Sequence, residues 1–303
     1  MLTIIRFISS LAVLLWSSLS FAQTLSLTFD DGLNPDTQAQ AEVWNQQIIA
    51  SLKDAGITAM VFPSLARIGG DRGMNLIMDW AQAGHAVGNH TATHRSLAAK
   101  DMTLADFILD VKKADAALHH FPTWVPMLRF PYLKEGDTLE KRDGFRSWMK
   151  ANRYRPAPVS IDASDWYYNQ VYSTLLRAGS QEKAARVKAA YIEHLLDRAS
   201  YYDGLAKRVL GRSPSHVILL HTSEINAATL SEIIAAFRKR GWAFVPPMAA
   251  FDDPVYASPP DTLPAGESVI WANAKVHGVA GLRYPAEDSV YEEPKLRSAG
   301  LLP

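Results

Sequence analysis

The stretch Leu25-Ser26-Leu27-Thr28-Phe29-Asp30-Asp31-Gly32 decides the fold. A run of apolar and β-favouring residues, Leu25 to Phe29, that ends in paired carboxylates and a glycine has the pattern of a buried strand delivering acidic side chains into a turn. A polar helix follows from about Thr37 to Ala55, closed by Gly56. A second strand is expected at Thr58 to Phe62, a helix at Met74 to Ala83, and a short strand at His85 to Gly88 that leads into a polar turn carrying His90 and His94. Further on, Thr103 to His119 reads as helix and Met127 to Phe130 and Pro158 to Ile161 as strands. Val217 to Leu220 reads as a buried parallel strand. Strand alternates with helix, and each polar cluster follows a strand end. This places the chain in the α/β class with a mostly parallel sheet, and a (β/α) barrel would gather those ends on one face.

Composition narrows the function. The 31 Lys and Arg balance 31 Asp and Glu with no long charge run, so the electrostatic footprint of a nucleic-acid or anionic-membrane binder is missing and a neutral substrate fits better. There is no cysteine, which excludes disulfides, thiolate metal sites and a lipidated cysteine; any metal must rest on histidine and carboxylate. Arg6, the apolar Leu11 to Trp16 and the small-x-small triplet Ser20-Phe21-Ala22 predict a signal peptide over residues 1–22, with the mature chain starting at Gln23. An uncleaved anchor is the alternative, but serines interrupt the apolar stretch, which is short of a span of about 20 residues. The protein is therefore expected in the periplasm or outside the cell, as a monomer, with no stable membrane insertion after cleavage.

One catalytic domain is expected over residues 23–250. Between Asp165 and His221 lie two helical stretches, Gln181 to Arg198 and Tyr201 to Val209, longer than a simple crossover needs. They form an insertion, at about residues 167–214, that either walls the substrate groove or covers the barrel. Residues 251–303 are a tail rich in Pro, Ala and Gly with one helix near Glu267 to Lys275 and no assigned task.

The candidate functional residues stand at strand ends: Asp30, Asp31, His90, His94, Arg129, Asp165 and His221. Two histidines four apart fall on one face of a helical turn, and one carboxylate completes a three-ligand site with open positions, the logic of catalytic zinc. Neither feature is decisive alone, since paired carboxylates also cap helices and His-x-x-x-His pairs are common. His85 is assigned to the core, His119, His120 and His194 to solvated helix faces. Trp148, Tyr167, Tyr168 and Trp242 are assigned to packing, with Tyr167 the first of these to consider for stacking on a sugar.

The order of five clusters changes the weight of each. The chain resembles the polysaccharide deacetylases, the NodB-homology family or carbohydrate esterase family four. The family's T-F-D-D-G is Thr28 to Gly32, H-[ST]-x-x-H is His90 to His94, and R-x-P-[YF] is Arg129-Phe130-Pro131-Tyr132. D-x-x-D-W is Asp162 to Trp166 and L-x-H is Leu219-Leu220-His221. The resemblance covers roughly Leu25 to Pro246. It implies a deformed (β/α) barrel, with Asp30 as general base and Asp31, His90 and His94 as ligands to Zn²⁺ or to Co²⁺, Ni²⁺ or Mn²⁺. It further implies that Arg129 orients Asp30 and keeps it ionised, the Tyr132 N–H faces the developing oxyanion, and Asp165 tunes the acid His221. Pro131, Tyr132, Trp166 and Leu219 would meet the substrate, a carbohydrate polymer or oligosaccharide. Leu33 departs from the family, many of whose members carry proline there. The implied reaction is hydrolysis of N-acetyl groups, with O-acetyl esters such as acetylxylan as the alternative bond. A non-catalytic carbohydrate-binding protein is opposed by the intact acid, base and ligand positions, and a cytoplasmic cyclic-amide hydrolase by the expected signal peptide.

Overall fold

Leu25, Leu27 and Phe29 point to one face of the first strand and Ser26 and Thr28 to the other, and all five are fully buried. A strand covered on both faces belongs at the centre of a parallel sheet. The computed structural model describes residues 23–283 and 289–302; the expected signal peptide lies outside the described residues.

The strands are β1 Thr24–Asp31, β2 Met60–Pro63, β3 Ala86–Asn89, β4 Trp124–Leu128, β5 Lys134–Gly136, β6 Arg155–Pro156, β7 Ser215–His221, β8 Ala243–Phe244 and β9 Ala265–Gly266. The helices are α1 Ala41–Asp54, α2 Leu65–Ile68, α3 Asp71–Gln82, α4 Leu104–Leu118, α5 Leu139–Ala151, α6 Asp165–Arg177, α7 Gln181–Leu210, α8 Glu224–Lys239, α9 Pro247–Phe251, α10 Val269–Val276 and α11 Glu292–Ser298. The main sheet runs β6-β4-β3-β2-β1-β7, all parallel, and β8 joins the start of β1 at Thr24 and Leu25. Its far edge curls back: Ile161, just after β6, bridges Ile218 of β7, and Leu219 N–H donates to the Ile161 carbonyl. The sheet thereby closes into a deformed (β/α) barrel, as expected, with the small antiparallel pair β5 and β9 outside it.

The differences from expectation have local causes. The strand expected at 158–161 is reduced to one bridge, at Ile161, after the two-residue β6, because Pro156 and Pro158 lack the N–H groups a longer ladder needs. The first helix begins at Ala41 because Asn34 captures the preceding segment in turns, its carbonyl accepting from Thr37 and Gln38 N–H. The two stretches of the insertion are one continuous helix, α7, and α6 precedes it. Its buried residues, among them Val187, Tyr191, Leu195 and Tyr202, recur at helical spacing through the expected break. The tail helix is α10, joined by α9 and α11.

Candidate active site

Parallel pairing sets the site's frame. Asp30 at the end of β1 stands in register with His221 at the end of β7 and with Phe62 of β2. Asp31 then turns into left-handed backbone at φ 77°, and Gly32 follows at φ 88°. Glycine is required there, since a Cβ would lie 2.2 Å from Ile68 Cγ2.

Arg129 and Asp30 form a buried pair, with Nη1 at 2.9 and 3.1 Å from the two carboxylate oxygens. Nη2 donates to Thr28 Oγ1 at 3.0 Å, Nε to the Ala157 carbonyl at 2.6 Å, and the guanidinium lies 4.6 Å from the Phe62 ring centre. Burial pushes the Asp30 carboxyl up, while Arg129 and His221 pull against it. Arg129 therefore orients Asp30 and restrains its rise, and leaves it a stronger base than a free carboxylate.

Asp31, His90 and His94 converge so that one ligand atom of each lies within 4.8 Å of the others. They do so without the helical turn expected of the histidine pair: the segment is irregular, with Thr91 at φ 66° and His94 at φ 55°. The Asn89 side chain accepts from Thr91 N–H, and Thr91 Oγ1 accepts from His94 N–H, which holds this turn. His90 Nδ1 donates to the Arg129 carbonyl at 2.7 Å, leaving the Nε2 lone pair toward Asp31. Asp31 Oδ1 is buried without an aligned hydrogen bond, with His94 Nε2 at 3.1 Å and His90 Nε2 at 3.7 Å. Burial opposes ionisation of Asp31, but His94, His221 and His90 outweigh it and hold its carboxyl far below the usual range. Burial and His94 together press His90 well below its ordinary value, toward the neutral imidazole that binds metals. A carboxylate and two imidazoles facing one another fit a divalent cation.

Opposite stands the second pair. His221 Nδ1 donates to Asp165 Oδ1 at 2.7 Å, and the His221 backbone N–H donates to Asp165 Oδ2 at 2.6 Å. Asn226 Nδ2 donates both to Asp165 Oδ2 and to the His221 carbonyl at 2.8 Å, and is itself held by the Tyr191 hydroxyl. Burial alone would lower the His221 pKa, but Asp165, with smaller help from Asp31 and Asp30, pushes it up to about 10.

Both pairs open on a groove of about 1250 Å³. Tyr132, with φ 58° and its ring 4.9 Å from that of His94, lines it along with Trp166 and Leu219. Pro131 is buried and is not among the lining residues; it shapes the turn that presents Tyr132. Trp166, Asn169, Gln170, Ser173 and Arg177 share one face of α6, so α6 walls the groove while α7 packs behind it. His85 is in the core as expected, its Nδ1 accepting from Ala59 N–H. His194 is 6% exposed and buried, contrary to the solvated face expected of it.

Sequence reasoning gave no role to Thr28, Phe62, Arg67 or Asn226. Arg67 lies with Nε 3.7 Å from Asp31 Oδ2 and Nη2 3.2 Å from His94 Nδ1. Its only signal is its place just after β2, on the face where the other strand ends gather.

Residues 21–147 match the family model described as polysaccharide deacetylase. Over that stretch the chain resembles the polysaccharide deacetylases. It is 27% identical over 143 residues to a peptidoglycan-N-acetylglucosamine deacetylase of Bacillus cereus, in an alignment taking in 47% of this chain and 46% of that protein. The chain thus spans about half the length of the curated relative it matches. Its fold is that of the catalytic domain of a peptidoglycan N-acetylglucosamine deacetylase from Eubacterium rectale (TM-score 0.53, 16% identity, covering 75% of this chain and 89% of that one). It is likewise that of a family 4 carbohydrate esterase from Streptomyces lividans in complex with acetate (TM-score 0.50, 18% identity, covering 75% and 95%). The family-model match takes in Asp30, Asp31, His90, His94 and Arg129; Asp165 and His221 lie beyond it and join them through the β1–β7 register.

Proposed function

We propose that this chain is a polysaccharide deacetylase, a metal-dependent hydrolase that removes acetyl groups from N-acetylated polysaccharide of the N-acetylglucosamine type. One observation carries the reading: a buried carboxylate held by a guanidinium, Asp30–Arg129, and an imidazole held by a carboxylate, His221–Asp165, flank the Asp31-His90-His94 cluster at one groove. A base and an acid on either side of an electrophile site are what amide hydrolysis needs.

Asp31, His90 and His94 would hold Zn²⁺, or Co²⁺, Ni²⁺ or Mn²⁺ in its place. When bound there, such an ion would supply Lewis-acid polarisation of a carbonyl and a lowered pKa for water, toward about 7. Asp30, oriented by Arg129, takes the proton of the attacking water. The Tyr132 N–H donates to the developing oxyanion, and Trp166 and Leu219 enclose the acetyl methyl. His221, kept protonated by Asp165, gives its proton to the departing sugar nitrogen, so that acetate and a free amine result. The aromatic and amide side chains of the groove, Trp44, Gln38, Trp166 and Gln170, suit sugar rings and their hydroxyls. Peptidoglycan, the polymer named for the Bacillus cereus relative, is the first polymer to test, and the signal peptide read at residues 1–22 would bring the enzyme to the periplasm or the exterior.

The test is acetate release by the mature chain from chito-oligosaccharides, peptidoglycan and acetylxylan, with added Zn²⁺ and with chelator. Zn²⁺-dependent release from the N-acetylated polymers, abolished in Asp31→Ala, is expected. Release from acetylxylan alone would move the reading to an ester hydrolase, and unchanged release in Asp31→Ala would refute metal dependence.

A further inference from the structure

The acid half of the site is gripped by two elements outside residues 21–147. Asp165 and Trp166 are delivered by the loop Asp162-Ala163-Ser164, and each of its residues is held from behind. The Asp162 carbonyl accepts from Arg198 Nε at 3.1 Å. The Ala163 carbonyl lies 2.8 Å from His194 Nε2, and since a carbonyl only accepts, that nitrogen carries the proton. Ser164 Oγ donates to Glu292 Oε1 at 2.9 Å. His194 and Arg198 belong to α7 and Glu292 opens α11 in the tail.

These are costly groups to place here. Glu292 is 2% exposed and Arg198 1% exposed, and His194 Nε2 lies 3.7 Å from Glu292 Oε1. Buried charge persists where partners and geometry demand it. The demand is visible at Ser164, whose φ of 50° and ψ of 28° put a non-glycine residue in left-handed backbone immediately before Asp165. Such a conformation is kept only when its surroundings over-determine it. From it Asp165 reaches both Nδ1 and the backbone N–H of His221.

We propose that Glu292, together with His194 and Arg198, is a positioning residue for the general acid: the tail helix and α7 lock the 162–164 loop so that Asp165 holds His221 in line with the leaving group. This rests on the assignment of His221 as the acid. The contact acts through geometry, so its loss hurts reactions that need the acid and spares those that do not.

The experiment compares the Zn²⁺-supplemented full chain with Glu292→Ala, Glu292→Gln, Ser164→Ala and the double variant Ser164→Ala/Glu292→Ala on two substrates. Chitopentaose loses a sugar amine, which must be protonated; 4-nitrophenyl acetate loses a phenolate that departs without a proton. Glu292→Ala is expected to lower kcat on chitopentaose by about 10- to 100-fold, the effect of misplacing a catalytic group. It should also draw the alkaline limb of that activity to lower pH, with turnover of 4-nitrophenyl acetate retained. Glu292→Gln keeps an acceptor for Ser164 and restores most of the activity, and the double variant falls no further than the worse single one. Equal loss on both substrates, or on neither, overturns the proposal. A wild-type chain active on the aryl ester but inert on chitopentaose means that the acid assignment itself fails, and the proposal falls with it.

Discussion

Asp30 and Asp31 are neighbours in sequence, yet their surroundings drive their proton affinities apart. Burial raises Asp30 against the pull of Arg129, while the histidines around Asp31 overcome its burial and keep it ionised. Two carboxylates separated in this way suit the different tasks proposed for them, one exchanging a proton and the other holding a cation. The same reasoning gives a prediction for the opposite pair. His221 is raised to about 10 mainly because Asp165 outweighs burial, so removing the Asp165 charge leaves burial in control and the pKa falls. In Asp165→Asn the alkaline limb of kcat/KM should move to lower pH and kcat should drop by about 10²–10⁴, as for loss of a general acid. The stability term has a matching sign. A group raised from 6.5 contributes fully below that value and loses its contribution as pH rises through about 10, so the variant should differ least from wild type at high pH. pH-rate profiles with parallel urea unfolding measure both, and an unmoved alkaline limb contradicts the role given to Asp165. These residues were legible because each sits in a short motif at a strand end. Asn226 and Arg67 were not, because their partners, the His221–Asp165 pair and the Asp31–His94 pair, meet only through the fold.

At the scale of elements, the site is a set of strand ends held at one level by parallel register, and close packing between strands carries the alignment. Gly88 of β3 is the tightest of these contacts near the base: a Cβ there would lie 2.5 Å from Cδ1 and Cε1 of Phe62. Phe62 in turn lies against the guanidinium that holds Asp30. Gly88→Ala should therefore cost about 1–3 kcal/mol by overpacking and, by moving Phe62 and Arg129, also lower kcat. Urea unfolding and acetate release measure the two effects; a stability loss with kcat untouched would show that Phe62 yields away from Arg129. Sequence pattern made most of these elements readable, since strand β1 is an apolar run buried on both faces and helices α3 and α4 bury one side at the expected spacing. It failed where backbone chemistry overrode pattern. The prolines around β6 cut the strand short, and the histidine turn relies on two left-handed residues and the Asn89 and Thr91 side chains, which a period of 3.6 does not register.

Across the whole molecule, the chain's first described residue, its insertion and its tail are tied at the end of the barrel opposite the groove. Asp203 of α7 accepts from Gln23, from Lys207 Nζ at 2.7 Å and from Ser213 Oγ at 2.6 Å, and meets His216 Nε2 at 3.4 Å. His216 Nδ1 lies 3.0 Å from Ser160 Oγ, and the Ser160 carbonyl accepts from Ser268 of the tail at 2.8 Å. Serine, histidine and aspartate stand here in the order of a nucleophilic triad, but Ser160 and His216 are fully buried and His216 is the second residue of the strand that His221 ends. No substrate reaches them, so the network is a clasp. Its partners outweigh the burial of Asp203 and hold its carboxyl well below the usual value. A depressed carboxylate contributes stability that is present above its unfolded pKa of about 3.9 and is lost as pH falls through its folded value. Asp203→Asn should accordingly lower stability near pH 7 by about 1–3 kcal/mol, the range for charged hydrogen bonds, and the gap from wild type should narrow as the medium is acidified below pH 4. Denaturant unfolding at the two pH values measures it. A gap that stays constant with pH would assign the loss to packing and not to the Asp203 charge, whereas a gap that closes would place the acid sensitivity of the fold at this clasp, away from the catalytic carboxylates.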